Sequence, residues 1–259
     1  MPFFEHNGFR THYELQGVDS LPVLLLSNSL GTNLSMWEGQ REQFEKHFRL
    51  LRYDTRGHGE SSVTPGPYQI ELLAQDVIHL LDHLQIRQAS FCGLSMGGMI
   101  GISLGINWPK RLHKLVLCNT AAKIGTAEFW SARIEKVKRE GTESIAQGLL
   151  ERWFTPSFLS QSLGIVATTK RTLLHTSTEG YAACCAAVRD GDFREDLKKI
   201  RLPTLIVSGA LDPVIPMPDV QFLVKQIPEA QHLELQASHL SAIEAKEAFN
   251  KGVLRFLGH

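Results

Sequence analysis

The sequence predicts an α/β fold: a mostly parallel sheet covered on both faces, with a helical cap inserted late in the chain. Short continuous apolar runs recur, such as Leu21-Pro22-Val23-Leu24-Leu25-Leu26, and strands buried on both faces read this way. Stretches with helical spacing alternate with these runs, the pattern of a parallel sheet with crossover helices. From about residue 122 to 189 the strands stop and helical stretches follow one another. A helical block between two sheet strands is best placed over the rim of the sheet, where it excludes water and shapes a pocket. The expected division is a core of residues 1–121 and 190–259 and a cap of 122–189.

Length and charge bound the function. A chain of 259 residues can bury a sizeable core. Lys+Arg and Asp+Glu are both 27, so no net field draws the protein to nucleic acid or to an anionic membrane. No apolar run approaches the roughly 20 residues that cross a bilayer. Met1-Pro2-Phe3-Phe4-Glu5-His6 lacks the basic, apolar and small-residue blocks of a secretory leader, and the expected location is the cytoplasm. Cys92 and Cys118 fall in predicted buried strands and Cys184-Cys185 in a predicted helix. None has metal-ligand spacing, and reduced buried thiols are expected.

In chain order, Phe9 opens an aromatic, loosely alternating strand, and 21–26 is the next. Ser27-Asn28-Ser29-Leu30-Gly31 is a loop of small and polar residues leaving that strand, ahead of a helix over 36–44. Residues 48–53 form another strand, ended by Asp54-Thr55-Arg56-Gly57-His58-Gly59-Glu60-Ser61. This cluster reads as structural, with Gly57 and Gly59 forming turns and Asp54 paired to Arg56. Apolar positions Leu73, Val77, Leu80, Leu81 and Leu84 predict a helix over 70–84, which makes His79 and His83 ordinary helix residues. Strands follow at 89–94 and 112–118. The cap stretches are 127–140, 144–154, 164–177 and 181–188, separated by Gly141, Thr155-Pro156 and Gly180. The sheet resumes at 202–209 and 232–235, and a helix over 242–257 closes the chain.

The chemistry centres on Gly93-Leu94-Ser95-Met96-Gly97, a G-x-S-x-G sequence running from a strand into a helix start. A serine on such a sharp turn sits in strained backbone with its hydroxyl pushed toward a pocket. The Met96 N–H, at the helix start, is a free donor for a developing oxyanion, and the loop after the second expected strand can aim the Leu30 N–H at the same point. An ordinary strand-helix connector is the competing reading of that loop. Downstream, Asp212 lies just past a strand end and His239 follows the last strand, completing the order Ser, Asp, His. These residues predict a nucleophile, an orienting acid and a base. Residue reasoning stops at a serine hydrolase of a small, partly apolar ligand.

With these residues placed, the chain resembles the α/β-hydrolase superfamily over essentially its whole length. Within it, the runs Ser27-Asn28-Ser29-Leu30-Gly31-Thr32-Asn33, 52–61 with Pro65-Gly66-Pro67-Tyr68, and Cys118-Asn119-Thr120-Ala121-Ala122-Lys123-Ile124-Gly125 are similar to the 3-oxoadipate enol-lactonases. One departure stands out: many members carry His-Gly before the oxyanion residue, and here Asn28-Ser29 takes that place, which puts Ser29 in reach of substrate. The resemblance implies opening of 3-oxoadipate enol-lactone in aromatic compound degradation by the β-ketoadipate pathway. It implies no metal and no organic cofactor. The partner it implies is a small-molecule lactone with a free carboxylate, and no nucleic acid or membrane. That carboxylate needs a cation, and Arg133, beside the aromatic Trp130, is the candidate; a solvated helix charge like Lys136 is the competing reading. A cofactor-free perhydrolase, a general carboxylesterase and a hydrolase-like ligand sensor stay open as alternatives. Oligomeric state leaves no trace in the sequence.

Overall fold

The computed structural model describes residues 2–259; Met1, the first residue of the stretch read above for a leader, lies outside them. The chain opens with strands β1 (Phe3–His6) and β2 (Phe9–Gln16), then β3 (Val23–Ser27), a 3₁₀ turn Leu34–Trp37 and helix α1 (Glu38–Phe44). It continues with β4 (Arg49–Tyr53), α2 (Ile70–His83), β5 (Ala89–Leu94), α3 (Met96–Asn107) and β6 (Leu112–Cys118). Five helices come next: α4 (Ala127–Glu140), α5 (Glu143–Trp153), α6 (Pro156–Gln161), α7 (Leu163–His175) and α8 (Thr178–Asp190). The last elements are β7 (Thr204–Gly209), α9 (Met217–Gln226), β8 (Gln231–Leu235), α10 (Ser241–Glu244) and α11 (Lys246–Leu257).

The strands form one eight-stranded sheet in the order β1-β2-β4-β3-β5-β6-β7-β8. Only the β1–β2 and β2–β4 pairs are antiparallel; every pair from β4 to β8 is parallel. All six residues of β5 and of β7 are buried, as their unbroken small and apolar runs require for central strands covered on both sides. Helix α2 turns Leu73, Val77, Leu80 and Leu81 inward, one face at helical spacing. Helix α3 is buried on every side from Met96 to Gly105, and its glycines let it approach the sheet. A Cβ on Gly97 would overlap the Ser27 carbonyl, and one on Gly98 would overlap the Thr120 side chain. No helix among the described residues is long and apolar enough to cross a membrane.

The structure departs from the sequence reading in six places. It adds β1, turned into β2 by Asn7-Gly8, both at positive φ (49° and 75°), the dipeptide that suits a two-residue hairpin. It adds α6, whose Thr155 cap accepts the Phe158 N–H, and α9, entered through Pro216. Gly180 does not separate helices but lies in the first turn of α8, where it packs against the backbone of Gly57. The closing helix is two, α10 and α11, broken at Ala245 (φ −107°, ψ 42°).

The sixth departure concerns Asp54 and Arg56, which do not pair. Arg56 forks onto Asp76 of α2, at 2.8 and 2.5 Å. Asp54 instead accepts from the Leu34 and Glu60 N–H groups, at 2.8 and 2.9 Å, and contacts His12 Nδ1 at 2.7 Å. Two turn residues separated by one position reach further by binding separate elements than by binding each other: Arg56 ties the loop to α2, and Asp54 ties it to β2 and the 3₁₀ turn.

Candidate active site

Ser95 occupies the single residue between β5 and α3, at φ 58° and ψ −113°. Such a conformation costs a non-glycine residue about 1–3 kcal/mol and persists only where neighbours enforce it. Three bonds do so: the Ser95 N–H donates to Cys118 O at 2.8 Å, and Ser95 O accepts from Thr120 Oγ1 and the Met99 N–H at 2.8 and 3.0 Å. The flanking glycines have their reason here too. A Cβ on Gly93 would overlap the Gly97 carbonyl oxygen, so the turn closes only without one.

The loops after β7 and β8 meet at this point. His239 Nε2 stands 2.9 Å from Ser95 Oγ, and its Nδ1 stands 2.9 Å from Asp212 Oδ2. The carboxylate is anchored by other donors: Asn119 Nδ2 at 3.0 Å on Oδ2, and the Val214 and Ile215 N–H groups at 2.7 and 3.2 Å on Oδ1. Burial pushes the Asp212 carboxyl up, but the His239 ring, Asn119 and the Val214 N–H together outweigh it and hold the group below the usual carboxylate range. The acid therefore stays charged beside the ring. Asn119, itself at φ 45°, also donates to Ser238 O at 3.3 Å and accepts from Ser241 Oγ at 2.5 Å, joining three loops.

The two candidate oxyanion donors lie on the loop after β3 and at the first residue of α3. The Gly97 N–H donates to Asn28 O at 3.1 Å, which docks the loop after β3 onto the start of α3. Asn28 is held in turn by Trp37 Nε1 at 3.0 Å and by its own bond to Tyr53 O at 2.6 Å. The Leu30 and Met96 N–H groups donate to no protein acceptor among the described residues. Unspent amides on the residue after the serine and on a loop docked beside it are the donors that stabilisation of a tetrahedral oxyanion calls for.

A cavity of about 280 Å³ joins these groups to the inserted helices. Ser29, Leu30, Ser95 and His239 line it from the loops and turn that leave the strands, and Trp130 and Arg133 line it from α4. Trp130 is fixed by its Nε1–H bond to Ile124 O at 2.6 Å. The Arg133 guanidinium lies 4.8 Å from the Phe129 ring and 5.7 Å from that of Trp130, with a long bond of 3.4 Å to Tyr181 Oη. Arg152 of α5 lines the same cavity, 5.6 Å from the Phe129 ring. Neither guanidinium forms an ion pair among the described residues, so both are available to an anionic ligand. A larger cavity of about 360 Å³ between α1 and α7 holds none of these groups, and its lining has no histidine or cysteine.

A sequence model described as the alpha/beta hydrolase fold matches residues 22–246. The chain belongs to the α/β-hydrolase family. Among its relatives, 3-oxoadipate enol-lactonase 2 of Acinetobacter baylyi is 48% identical over 242 residues, covering 93% of this chain and 91% of that protein. 3-Oxoadipate enol-lactonase 1 of the same organism is 38% identical over 236 residues, covering 91% and 88%. The crystal structure of the enol-lactonase from Burkholderia xenovorans LB400 superposes with a TM-score of 0.98 at 43% identity, over all of both chains.

In this hydrolase the inserted helices are stitched to the loop that carries His239. Ser238 Oγ donates to Arg152 O at 2.8 Å, and the Leu240 N–H to Trp153 O at 3.0 Å. Glu244 accepts from the Ser238 N–H at 2.9 Å and from the Thr155 N–H at 3.1 Å, and takes the Thr155 hydroxyl as well. Sequence reasoning missed Asn119, Arg152 and Glu244 as site residues. Asn119 had one usable signal, a polar side chain immediately past a buried strand, whereas Arg152 and Glu244 look like ordinary helix charges.

Proposed function

We propose that this hydrolase opens 3-oxoadipate enol-lactone to 3-oxoadipate through an acyl-enzyme. His239 takes the proton from Ser95 Oγ as the oxygen attacks the lactone carbonyl, while Asp212 orients the ring and stabilises the imidazolium. The Leu30 and Met96 N–H groups hold the tetrahedral oxyanion, each donor being worth about 3 kcal/mol. Collapse breaks the ring C–O bond. The enol oxygen leaves with the proton from His239, and the enol becomes the 3-oxo group. A water deprotonated by His239 then attacks the Ser95 ester, and collapse returns the proton to Ser95 and frees the second carboxylate. Arg133 binds the carboxylate already present in the substrate, with Trp130 as the flat wall beside it and Ser29 as a further polar contact from the cavity lining. Residues 122–189 act as the cap and the remainder as the core.

The observation that carries this reading is the 2.9 Å approach of His239 to Ser95 in a cavity that also holds unpaired guanidinium groups. The enol-lactonase relatives support the choice of lactone. The test is kcat/KM on the enol-lactone and on p-nitrophenyl acetate, for the native protein, Ser95→Ala and Arg133→Ala. The native protein should prefer the lactone strongly, and Ser95→Ala should lose on the order of 10⁴-fold or more on both substrates. Arg133→Ala should lose about 10- to 100-fold more on the charged lactone than on the neutral ester. Near-normal turnover by Ser95→Ala rejects the mechanism, and equal native turnover of both substrates turns the reading to a general carboxylesterase.

A further inference from the structure

The loop 54–61 holds a buried histidine that the proposed chemistry leaves unused. His58 is 1% exposed. Its Nε2 accepts the Gly31 N–H at 2.9 Å, so that nitrogen carries no proton. Its Nδ1 lies 3.3 Å from Arg56 O and supplies the donor there. These two contacts select one neutral tautomer. Burial agrees with them, lowering the ring from 6.5 to about 4 against the opposing pull of Arg56 O and Asp54.

Gly31 directly follows Leu30, and a peptide unit is planar. The unit before the Leu30 Cα carries Ser29 C=O and the Leu30 N–H, pointing in opposite directions. Ser29 O is held by the Thr32 N–H at 3.2 Å and by Thr32 Oγ1 at 2.8 Å. The unit after the Leu30 Cα carries the Gly31 N–H, and His58 holds it. With both planes pinned, neither backbone torsion of Leu30 is free to turn. Above the loop, Gly31 sits at φ 79° with the Leu173 and Tyr181 side chains of the inserted helices filling the space a Cβ would need.

We propose that His58 is a positioning residue: by accepting the Gly31 N–H it fixes the direction of the Leu30 amide, and so governs oxyanion binding without touching substrate. This rests on the assignment of Leu30 as an oxyanion donor. The comparison that tests it is His58→Asn against His58→Gln. Glutamine places an acceptor near the Nε2 position; asparagine is too short to reach Gly31 and keeps only the contact toward Arg56 O. Three readouts are taken: kcat and KM on p-nitrophenyl acetate, and inhibition by a trifluoromethyl ketone, which forms an oxyanion when it adds to a serine.

His58→Asn should lose about 10- to 100-fold in kcat, with a matching loss of ketone affinity and KM within about threefold, while His58→Gln stays within about fivefold of native. Thr32→Val, which loosens the other plane, should show the same signature more weakly. Equal impairment of the Asn and Gln variants overturns the proposal, as does a fall in kcat with ketone affinity intact. Native ketone affinity in Thr32→Val overturns it too should His58→Asn fail to fold. The neutral ester keeps the outcome separate from the identity of the lactone. A failure of the mechanism itself would appear in Ser95→Ala, which carries both His58 and Thr32 intact.

Discussion

Asp212 Oδ2 is shared between two donors, His239 Nδ1 and Asn119 Nδ2. Oδ1 accepts from the Val214 and Ile215 N–H groups, and only a carboxylate serves all four donors. In Asp212→Asn the new NH2 must face either those two backbone N–H groups or His239 and Asn119; turned toward the ring, it forces the other tautomer, and Nε2 is no longer offered as a base. The expected result is a fall in kcat of about 10³- to 10⁴-fold with the melting temperature within a few degrees of native, checked by steady-state kinetics beside calorimetry. A loss of tenfold or less would mean the carboxylate does not set the tautomer. Ser95, Asp212 and His239 are legible as candidates because each carries catalytic chemistry at or shortly past a strand end, so their chain order already carries spatial information. Asn119 shares that placement without a chemistry of its own, and Arg152 lacks even the placement; their importance depends on which distant loop lands beside them, as Asn119 meets a carboxylate 93 positions away.

Pairs of elements are held together by features that single residues do not advertise. Gly57, at φ 78°, and Gly180, in the first turn of α8, pack backbone against backbone. Read alone, Gly180 looks like a break between helices; its real function is contact, since a Cβ there would overlap the Gly57 carbonyl oxygen. Gly180→Ala should therefore cost about 2 kcal/mol or more and lower the melting temperature by about 4–8 °C, although alanine is the better helix former. Calorimetry showing no change or a gain would mean that the interface between this loop and α8 yields freely. The same limit hid α9: helices are legible where a long apolar period runs, and the ten-residue α9 buries only Val220 and Leu223. The hairpin β1–β2 had its signal in Asn7-Gly8, but its strand is four half-exposed residues.

For the molecule as a whole, His58 links folding to pH. The ring is held near a pKa of about 4 when folded and returns to about 6.5 when the chain unfolds. Between these values the unfolded state binds the extra proton, so stability is full above about pH 6.5 and falls as pH drops toward 4, by on the order of 3 kcal/mol. His12 works the opposite way. Its hydrogen bond to Asp54 raises its pKa despite burial, so its contribution is present below pH 6.5 and fades as pH rises. The two are separated by urea midpoints measured from pH 4 to 7 in the native protein and in His58→Gln, and the variant should have the flatter acid slope. Identical slopes would show that His58 is not the group that charges on unfolding. At this scale the sequence read well: alternating strands and helices, then a strandless stretch, already place an insert between two parts of a sheet. Strand order did not, because pairing of β3 with both β4 and β5 is set by packing rather than by any local pattern.

One carboxylate, Glu244, holds both the end of α5 and the main chain next to His239. The inserted helices and the His239 loop thus share an anchor. On the proposed mechanism, any displacement of the segment between α5 and α6 would carry the general base with it. Grafting another relative's helical insert onto this sheet would, for the same reason, have to bring a matching Thr155 to Glu244, or the grafted helices would sit over a histidine out of register.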